Sequence, residues 1–597
     1  MIGSTKRIHG FRVYLREELY FLKIHIIWIM RENEKKYIFR HIKKHYMGFA
    51  LLLLGVAGAS VVGLLYALIT AQIVNQAFYE KNVDGIVKYL IIFIVVYIVH
   101  QAFHFLKTYS AEKLNASFSV EIKEEILESV LYLKGTEYSK LTVGDVLKRM
   151  GTDADGVLRF LYLNVIYYIT DFVEFFIQLV FIAFISIPVL ILTLICMPLS
   201  FYLTRAFVEK SKHHYKTLIS SESKLSTYIL EVIQNLQELR MLNGFHWMKN
   251  RFADYNKQNN WNIIKTKKCE LENQQIVNGL SLIIHIALYV LTAWLIIHNN
   301  LKFGSFLAVL EYFDASITAF SEIVGRGNPI AQDFASINRI IEVLDLEHEN
   351  IEVGEEMEIQ KGDIRIENCS FRYGNNVKAI DNCSLHIESG GRVAIVGMNG
   401  SGKTTLVYML LKLYENQEGN IYIDNINLRD ISLECLRKQI AIVNQQVIIF
   451  NGSVRYNILL KDNNEEDDKV WEYLEMVGLK EYVRNLPNQL DTIIGTMGAA
   501  LSTGQSQRIG IARALTRDAK IVIFDESTAS LDAETEQIII NTWDQLSKQK
   551  TLIIIAHELK TIKKAERVVF MNNGKIISVG SHEYQKRNCP EYVELLL

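Results

Sequence analysis

The sequence predicts a multi-domain chain, an all-α six-helix transmembrane domain followed by an α/β P-loop nucleotide-binding domain, and three observations predict it. Apolar residues crowd into about the first 330 of 597 positions, and mixed, charged sequence follows. The run GMNGSGKTT at Gly397–Thr405 matches G-x-x-x-x-G-K-[ST]. The unbroken apolar run Ile521–Phe524, ended by Asp525 and Glu526, reads as a parallel-sheet strand buried on both faces. A chain of this length exceeds one ordinary core and fits two or three domains. The boundaries predicted are 1–45 for an N-terminal segment, 46–345 for the membrane domain and 346–597 for the nucleotide-binding domain.

Taken from the N-terminus, Phe11–Met30 is mostly apolar but carries Arg12, Arg16, Glu17, Glu18 and Lys23, with a run of cations behind it. That pattern predicts an amphipathic helix on the inner leaflet, its cations meeting anionic headgroups, the alternative being a cytoplasmic helix packed on its neighbours. A bilayer core of about 30 Å needs about 20 apolar residues in helix, because lipid offers no partner to an unpaired backbone group. Six stretches meet the test: Gly48–Ala71, Gly85–Leu106, Ile166–Ser186, Val189–Phe207, Ile276–Ile297 and Gly304–Ile323. Only Ile187 and Pro188 separate the third from the fourth, so a tight hairpin is expected there, broken by the proline. The long loops after the second and fourth spans carry Lys113, Lys123, Lys148, Arg149, Arg240, Lys249, Arg251 and Lys265. Positive residues favour the cytoplasmic side, which predicts a multi-pass protein of the cell membrane with both termini and the nucleotide-binding domain in the cytoplasm.

Composition narrows the partners. The six cysteines show neither metal-site spacing nor a disulfide framework. A net charge of −2 supplies no concentrated basic face, so nucleic acid is not an expected partner.

In the P-loop run, Gly397, Gly400 and Gly402 let backbone N–H groups curl around phosphates, with Asn399, Ser401 and Thr405 in the same cradle. Lys403 neutralises the phosphates and Thr404 offers its hydroxyl to Mg²⁺. ATP and Mg²⁺ are therefore the expected ligands. The Ile521–Phe524 run ends in two carboxylates, Asp525 and Glu526.

With LSTGQSQR at Leu501–Arg508 downstream of that loop, the chain resembles the ABC (ATP-binding cassette) proteins, and the six spans make it look like a half-size exporter of the type IV architecture. The stretch GDVLKRMGTDAD at Gly144–Asp155 resembles the Gly-Asp-Leu-x-x-Arg-x-x-x-Asp stretch those exporters carry by the first coupling helix. A second coupling helix would fall near Met241–Asn250 by the same likeness. The resemblance implies that Tyr373 in FRYGNN stacks on adenine, that Gln445 contacts Mg²⁺ and the attacking water, that Asp525 holds the hydrated Mg²⁺ while Glu526 orients and deprotonates that water, and that His557 in IIIAHE meets the γ-phosphate. It also implies that Ser502, Gly504 and Gln505 cap ATP bound to the opposite chain, and that Ala529–Asp532 is the D-loop. Three positions depart from the pattern. Thr503 replaces a glycine, Thr496 replaces a glutamate, and Gln446–Val447 replace an acidic residue and proline after Gln445.

Asp171 and Glu174 on the third span, with Glu311 and Asp314 on the sixth, are acids in apolar stretches that hold no basic residue, and such groups face a cavity or a partner. They are the candidate contacts for a cationic or amphipathic cargo such as a basic peptide, the alternative being that helices running past the membrane set some of them in water near the cytoplasmic mouth. The leading expectation is ATP-driven export by a pair of half-transporter chains in the bilayer. A homodimer is favoured over a heterodimer because both half-sites can be built from one chain. A lipid flippase has the same architecture, and an ATP-binding regulatory or channel-like half is the reading from a different class.

Overall fold

The computed structural model describes residues 32–596, apart from 139, 299–300, 326, 352–353, 375–376, 462–466, 496–497, 518, 526–532 and 557. The inner-leaflet helix expected at Phe11–Met30 lies outside the described residues. The chain divides into two compact units, one running to Glu128 and from Gly144 to Asp345, the other joining Ser129–Val143 to the chain from Leu346 onward.

The first unit is helical. Helices span Glu32–Lys44, Tyr46–Asn75, Val83–Leu131, Ile187–Gln234, Phe245–Ile297, Phe303–Gly325 and Gly327–Leu344, and Val143–Ile185 is helical throughout with two widened turns. All six predicted spans fall on these helices, the third ending at Ile185. Five helices are long and apolar enough to cross a membrane among the described residues. On the fourth span the described apolar stretch is shorter, Ile187–Leu199. The hairpin turns at Ser186, whose backbone is extended, and Pro188 sits in the first turn of the next helix. That corrects the expectation of a proline break: the first turn has no intrahelical partner for that N–H, so proline fits there.

Small residues bring these helices together. A Cβ on Gly55 would stand 2.6 Å from the Lys107 backbone nitrogen, so the first and second membrane helices cross at a point only glycine permits. Tyr312, Phe313, Ile182, Val189, Leu288 and Val309 form the packed centre, and Tyr312 donates to the Leu64 carbonyl at 2.6 Å. The Val83–Leu131 helix, in contrast, buries none of its apolar window.

The GDVLKRMGTDAD stretch clasps the last helix of this unit. Asp153 is 1% exposed and receives Arg339 through Nε at 2.8 Å and Nη2 at 2.5 Å, while Arg149 Nε donates to the Arg339 carbonyl at 3.1 Å. A second buried carboxylate, Asp333, takes Arg159 at 3.2 Å and Asn164 at 2.6 Å. Removing either arginine would strand a buried charge. Between helices Ile187–Gln234 and Phe245–Ile297 lies the short helix Leu236–Met241, and by Phe245 the chain is already in the second of the long helices. The stretch Met241–Asn250, expected to hold the second coupling helix, therefore spans the end of one helix and the start of the next, with Asn243 between them at a left-handed φ of 49°. Met241 and Leu242 there are 76% and 71% exposed.

The second unit holds two main sheets. Strands β1 (Ile364–Arg372), β2 (Lys378–Ile387), β3 (Arg392–Val396), β4 (Glu418–Ile423), β5 (Ile426–Asn427) and β6 (Ile440–Val443) come first. Then follow β7 (Gly452–Ser453), β8 (Ile493–Ile494), β9 (Ile521–Asp525), β10 (Thr551–Ile555), β11 (Arg567–Asn572) and β12 (Lys575–Gly580). An antiparallel sheet runs β2-β1-β4-β5, and a six-stranded sheet runs β12-β11-β3-β10-β9-β6, parallel from β11 to β6. Strands β9 and β10 are buried at every residue, as apolar runs in a doubly covered sheet must be. Helix Thr503–Leu515 packs on β6, helices Val454–Leu459 and Asp467–Met476 pack on that helix, and Arg455 ties those two by pairing with Asp467 at 2.6 Å, while it also pairs with Asp491. Segment Ser129–Val143 joins this unit through Leu133, which bridges to His348, and through Lys134, whose N–H donates to the Glu347 carbonyl at 3.0 Å. Its short helix, Gly135–Tyr138, rests against Leu413 and Tyr414.

Candidate functional site

Four parallel strands end along one edge of the six-stranded sheet, where α/β sheets place their ligands. Ile395, Ile555 and Asp525 stand in register across β3, β10 and β9, with Val443 of β6 beside Phe524. Each strand delivers one piece: the P-loop after β3, Asp525 on β9, Ala556 after β10 and Gln445 after β6.

Local chemistry shapes the loop. Gly402 adopts φ +101° and caps the helix Lys403–Leu410, and a Cβ there would meet the Ala379 carbonyl at 2.6 Å. Gly397 is buried, whereas Met398, Asn399 and Gly400 form the exposed lip. Lys403 is buried and its ammonium donates to the Gly397 carbonyl at 2.9 Å and the Met398 carbonyl at 3.1 Å, which holds the curl closed. Ser401 and Thr405 are buried, and Thr404 faces solvent. A cavity of about 430 Å³ opens beside the lip, lined by Met398, Asn399, Ser401, Asn572, Asn573 and Leu595.

Tyr373 follows β1 and reaches this loop: its hydroxyl is 2.9 Å from Thr405 Oγ1. Its ring meets Phe371 and Tyr414 edge-on, at 5.1 and 5.4 Å between centroids. Tyr414 was not among the residues singled out from sequence, since no motif marks it, yet the Gly135–Tyr138 helix rests on the same ring. Asp525 is buried at the strand end. Burial, then the Asp525 charge and Tyr373, push the neighbouring Tyr408 phenol above its usual value.

Gln445 is exposed, and its carbonyl accepts from Gln507 at 3.4 Å. The residues after it ride on the helix Thr503–Leu515. Val447 sits so close to Gly510 that an added Cβ would meet it at 2.6 Å, and Arg513 donates to the Ile448 carbonyl at 3.0 Å and the Asn457 carbonyl at 2.7 Å. Val447 thus supplies by packing the restraint that a proline would supply by backbone stiffness.

The helix itself starts with a capping box. Ser502 Oγ accepts the Gln505 N–H at 3.2 Å, and the Gln505 side chain accepts the Ser502 N–H at 2.9 Å. Thr503 occupies the first helical position, exposed, and is not among the residues with positive φ, so the threonine sits there without backbone strain. The hydrogen bonds of Ser502, Gly504 and Gln505 among the described residues stay within this helix and none reaches the P-loop. Glu526, His557, Thr496 and Ala529–Asp532 lie outside the described residues.

In the membrane unit Asp171 and Glu174 are half-buried, and Glu311 and Asp314 are exposed. Asp314 has a partner the sequence reading missed: His285 Nε2, from the fifth span, lies 2.7 Å from its Oδ1. The two residues belong to different helices, so no spacing in the sequence joins them.

Two family models match the chain, the ABC transporter transmembrane region over residues 49–320 and the ABC transporter model over 380–529. The ATP-dependent lipid A-core flippase of Syntrophus aciditrophicus is 28% identical over 573 residues, 94% of each chain. The ABC transporter ATP-binding protein YwjA of Bacillus subtilis is 28% identical over 505 residues, 82% of this chain and 85% of that protein. The structure of a bacterial Atm1-family ABC exporter with ATP bound superposes with a TM-score of 0.76 at 20% identity, covering 93% of this chain and 98% of that one.

Proposed function

Because the chain belongs to the ABC transporters, a transmembrane region and an ATP-binding cassette in one polypeptide with the fold of an exporter, we propose that it expels an amphipathic cargo by alternating access. It is a multi-pass membrane protein and an ABC-type ATPase. The observation that carries the proposal is the split of the nucleotide machinery. P-loop, Asp525 and Gln445 share one sheet edge, while the Ser502 helix start, with the Thr503 and Gly504 N–H groups left outside its capping box, makes no hydrogen bond to the P-loop among the described residues. Helix starts attract anions, so the second half of the site would come from another chain, with ATP between them. We favour two copies of this chain.

In this arrangement Lys403 and the N–H groups of residues 397–405 hold the phosphates, Tyr373 stacks on adenine, Gln445 positions the water, Glu526 takes its proton and His557 contacts the γ-phosphate. The donors present fit a magnesium ion, being all oxygen: the Thr404 hydroxyl, the Asp525 carboxylate and the Gln445 amide. When bound, such an ion neutralises charge on the β- and γ-phosphates. By the family likeness, closing the pair would drive the membrane helices through two coupling helices, one by Gly144–Asp155 and one near Met241–Asn250. Cytoplasmic termini and cassette follow from the placement of positive loops.

For the cargo, Asp171, Glu174 and Glu311 favour a cationic group on an amphipathic molecule, with Asp314 engaged by His285. A lipid is the second reading, supported by the full-length likeness to lipid A-core flippases. ATPase measurements in liposomes with added basic peptides, hydrophobic cations and lipids separate the two. Stimulation by lipids alone removes the cationic cargo, and ATP binding without any stimulated turnover removes export in favour of a regulatory half.

A further inference from the structure

We propose that His41, Glu121 and Glu125 form a site for a divalent transition-metal ion of the zinc class, remote in sequence from every nucleotide motif. Helix Glu32–Lys44 buries Glu34, Tyr37, Ile38 and His41 on one face, at helical spacing. His41 is 1% exposed and neither of its ring nitrogens has a hydrogen-bond partner. Tyr37 meets the ring edge-on at 4.7 Å and Phe118 lies 5.6 Å away between centroids, so the imidazole is held in place. His41 Nδ1 lies 3.5 Å from Glu121 Oε1, and Nε2 lies 3.4 Å from Glu125 Oε2, itself buried and unpartnered. One donor atom from each of the three residues falls within 4.8 Å of the other two.

Orphaned buried nitrogens and oxygens are costly and demand an explanation, of which a bound ion is one. Ligand atoms at about 2.0–2.2 Å from a tetrahedral ion stand about 3.3–3.5 Å apart; Nε2 and Glu125 Oε2 hold that spacing at 3.4 Å, while Glu121, nearest to the opposite nitrogen Nδ1, comes within 4.8 Å and would turn toward the ion. An imidazolium donating to either carboxylate would instead sit at about 2.7–2.9 Å. Surrounding groups already orient the carboxylates: His45 Nε2 is 2.9 Å from Glu121 Oε2, Arg40 Nη2 is 2.6 Å from Glu125 Oε1, and Lys44 also reaches Glu121. Arg40 and Lys44 are 60% and 62% exposed, free to turn into water as the charge of the ion arrives. Imidazole among carboxylates selects zinc-like ions over magnesium. Glu121 stands about 38 residues, or about 57 Å, along its helix, beyond the reach of a bilayer core. The ion would pin the Glu32–Lys44 helix to the far end of the second membrane helix.

The test uses purified full-length protein in detergent without nucleotide, titrated with Co²⁺ and followed by its visible spectrum. One equivalent per chain with intense tetrahedral bands is expected, displaced by equimolar Zn²⁺ and untouched by excess Mg²⁺. His41→Gln and Glu125→Gln should each weaken Co²⁺ binding by about tenfold or more while helical content by circular dichroism stays unchanged, and Zn²⁺ should raise the melting temperature of the parent protein only. Absence of tetrahedral bands in the parent protein, or bands of unchanged affinity in both variants, overturns the site.

Discussion

Tyr373 combines a stacking face with a hydroxyl, and substitution separates them. Tyr373→Ala should weaken ATP binding by about 1–3 kcal/mol, roughly 5- to 150-fold, in a fluorescence titration, whereas Tyr373→Phe loses the hydroxyl that bonds Thr405 but keeps the ring and should stay within a few-fold of the parent. A second residue sets a pH limit. His582 is buried with its Nδ1 2.7 Å from the Tyr592 hydroxyl, and burial lowers its pKa below the usual 6.5. Above about pH 6.5 both folded and unfolded chains hold it neutral; as pH falls below that, the unfolded chain takes up a proton the folded one resists, so stability falls with pH. His582→Gln should therefore show a smaller drop in melting temperature between about pH 7.5 and 5.5 than the parent, and an equal drop would refute the assignment. At this scale legibility divides by mechanism. Lys403 and Ser502 were readable because a backbone curl and a capping box need fixed residues at fixed spacing. Asp314–His285 and Val447–Gly510 were not, because contacts between helices leave no spacing in the chain.

Helices and strands were legible where one physical demand acts along their whole length. Six apolar stretches had to be helical because lipid satisfies no backbone group, and all six lie on helices. Their ends were less so: Pro188 looked like the break, yet Ser186 turns the chain. The packing of the segment after Gln445 on the Thr503–Leu515 helix makes a prediction of its own. Gly510→Leu would drive a side chain into Val447, a β-branched residue with little freedom to yield, and should cost about 1–3 kcal/mol of stability. Adding Val447→Ala should recover part of the melting temperature and of the ATPase rate; no recovery in the double variant would show that the two elements are not coupled there.

For the whole molecule, the separation of the Ser502 helix start from the P-loop of its own chain makes pairing the central requirement. Glu526→Gln should lower ATPase activity by about 10²- to 10⁴-fold and leave ATP binding intact. The division into a membrane unit and a cassette unit was legible from hydropathy alone, whereas the membership of Ser129–Val143 in the cassette unit depends on bonds to Glu347 and His348 that composition does not encode. Of the native cysteines all but Cys435 are buried, which leaves room for a direct measurement with engineered thiols. Asn399→Cys and Thr503→Cys, placed in the Glu526→Gln background and oxidised in lipid nanodiscs, should give a disulfide between two chains that forms with ATP and not without it. A link that forms regardless of ATP, or only within a single chain, would contradict the account.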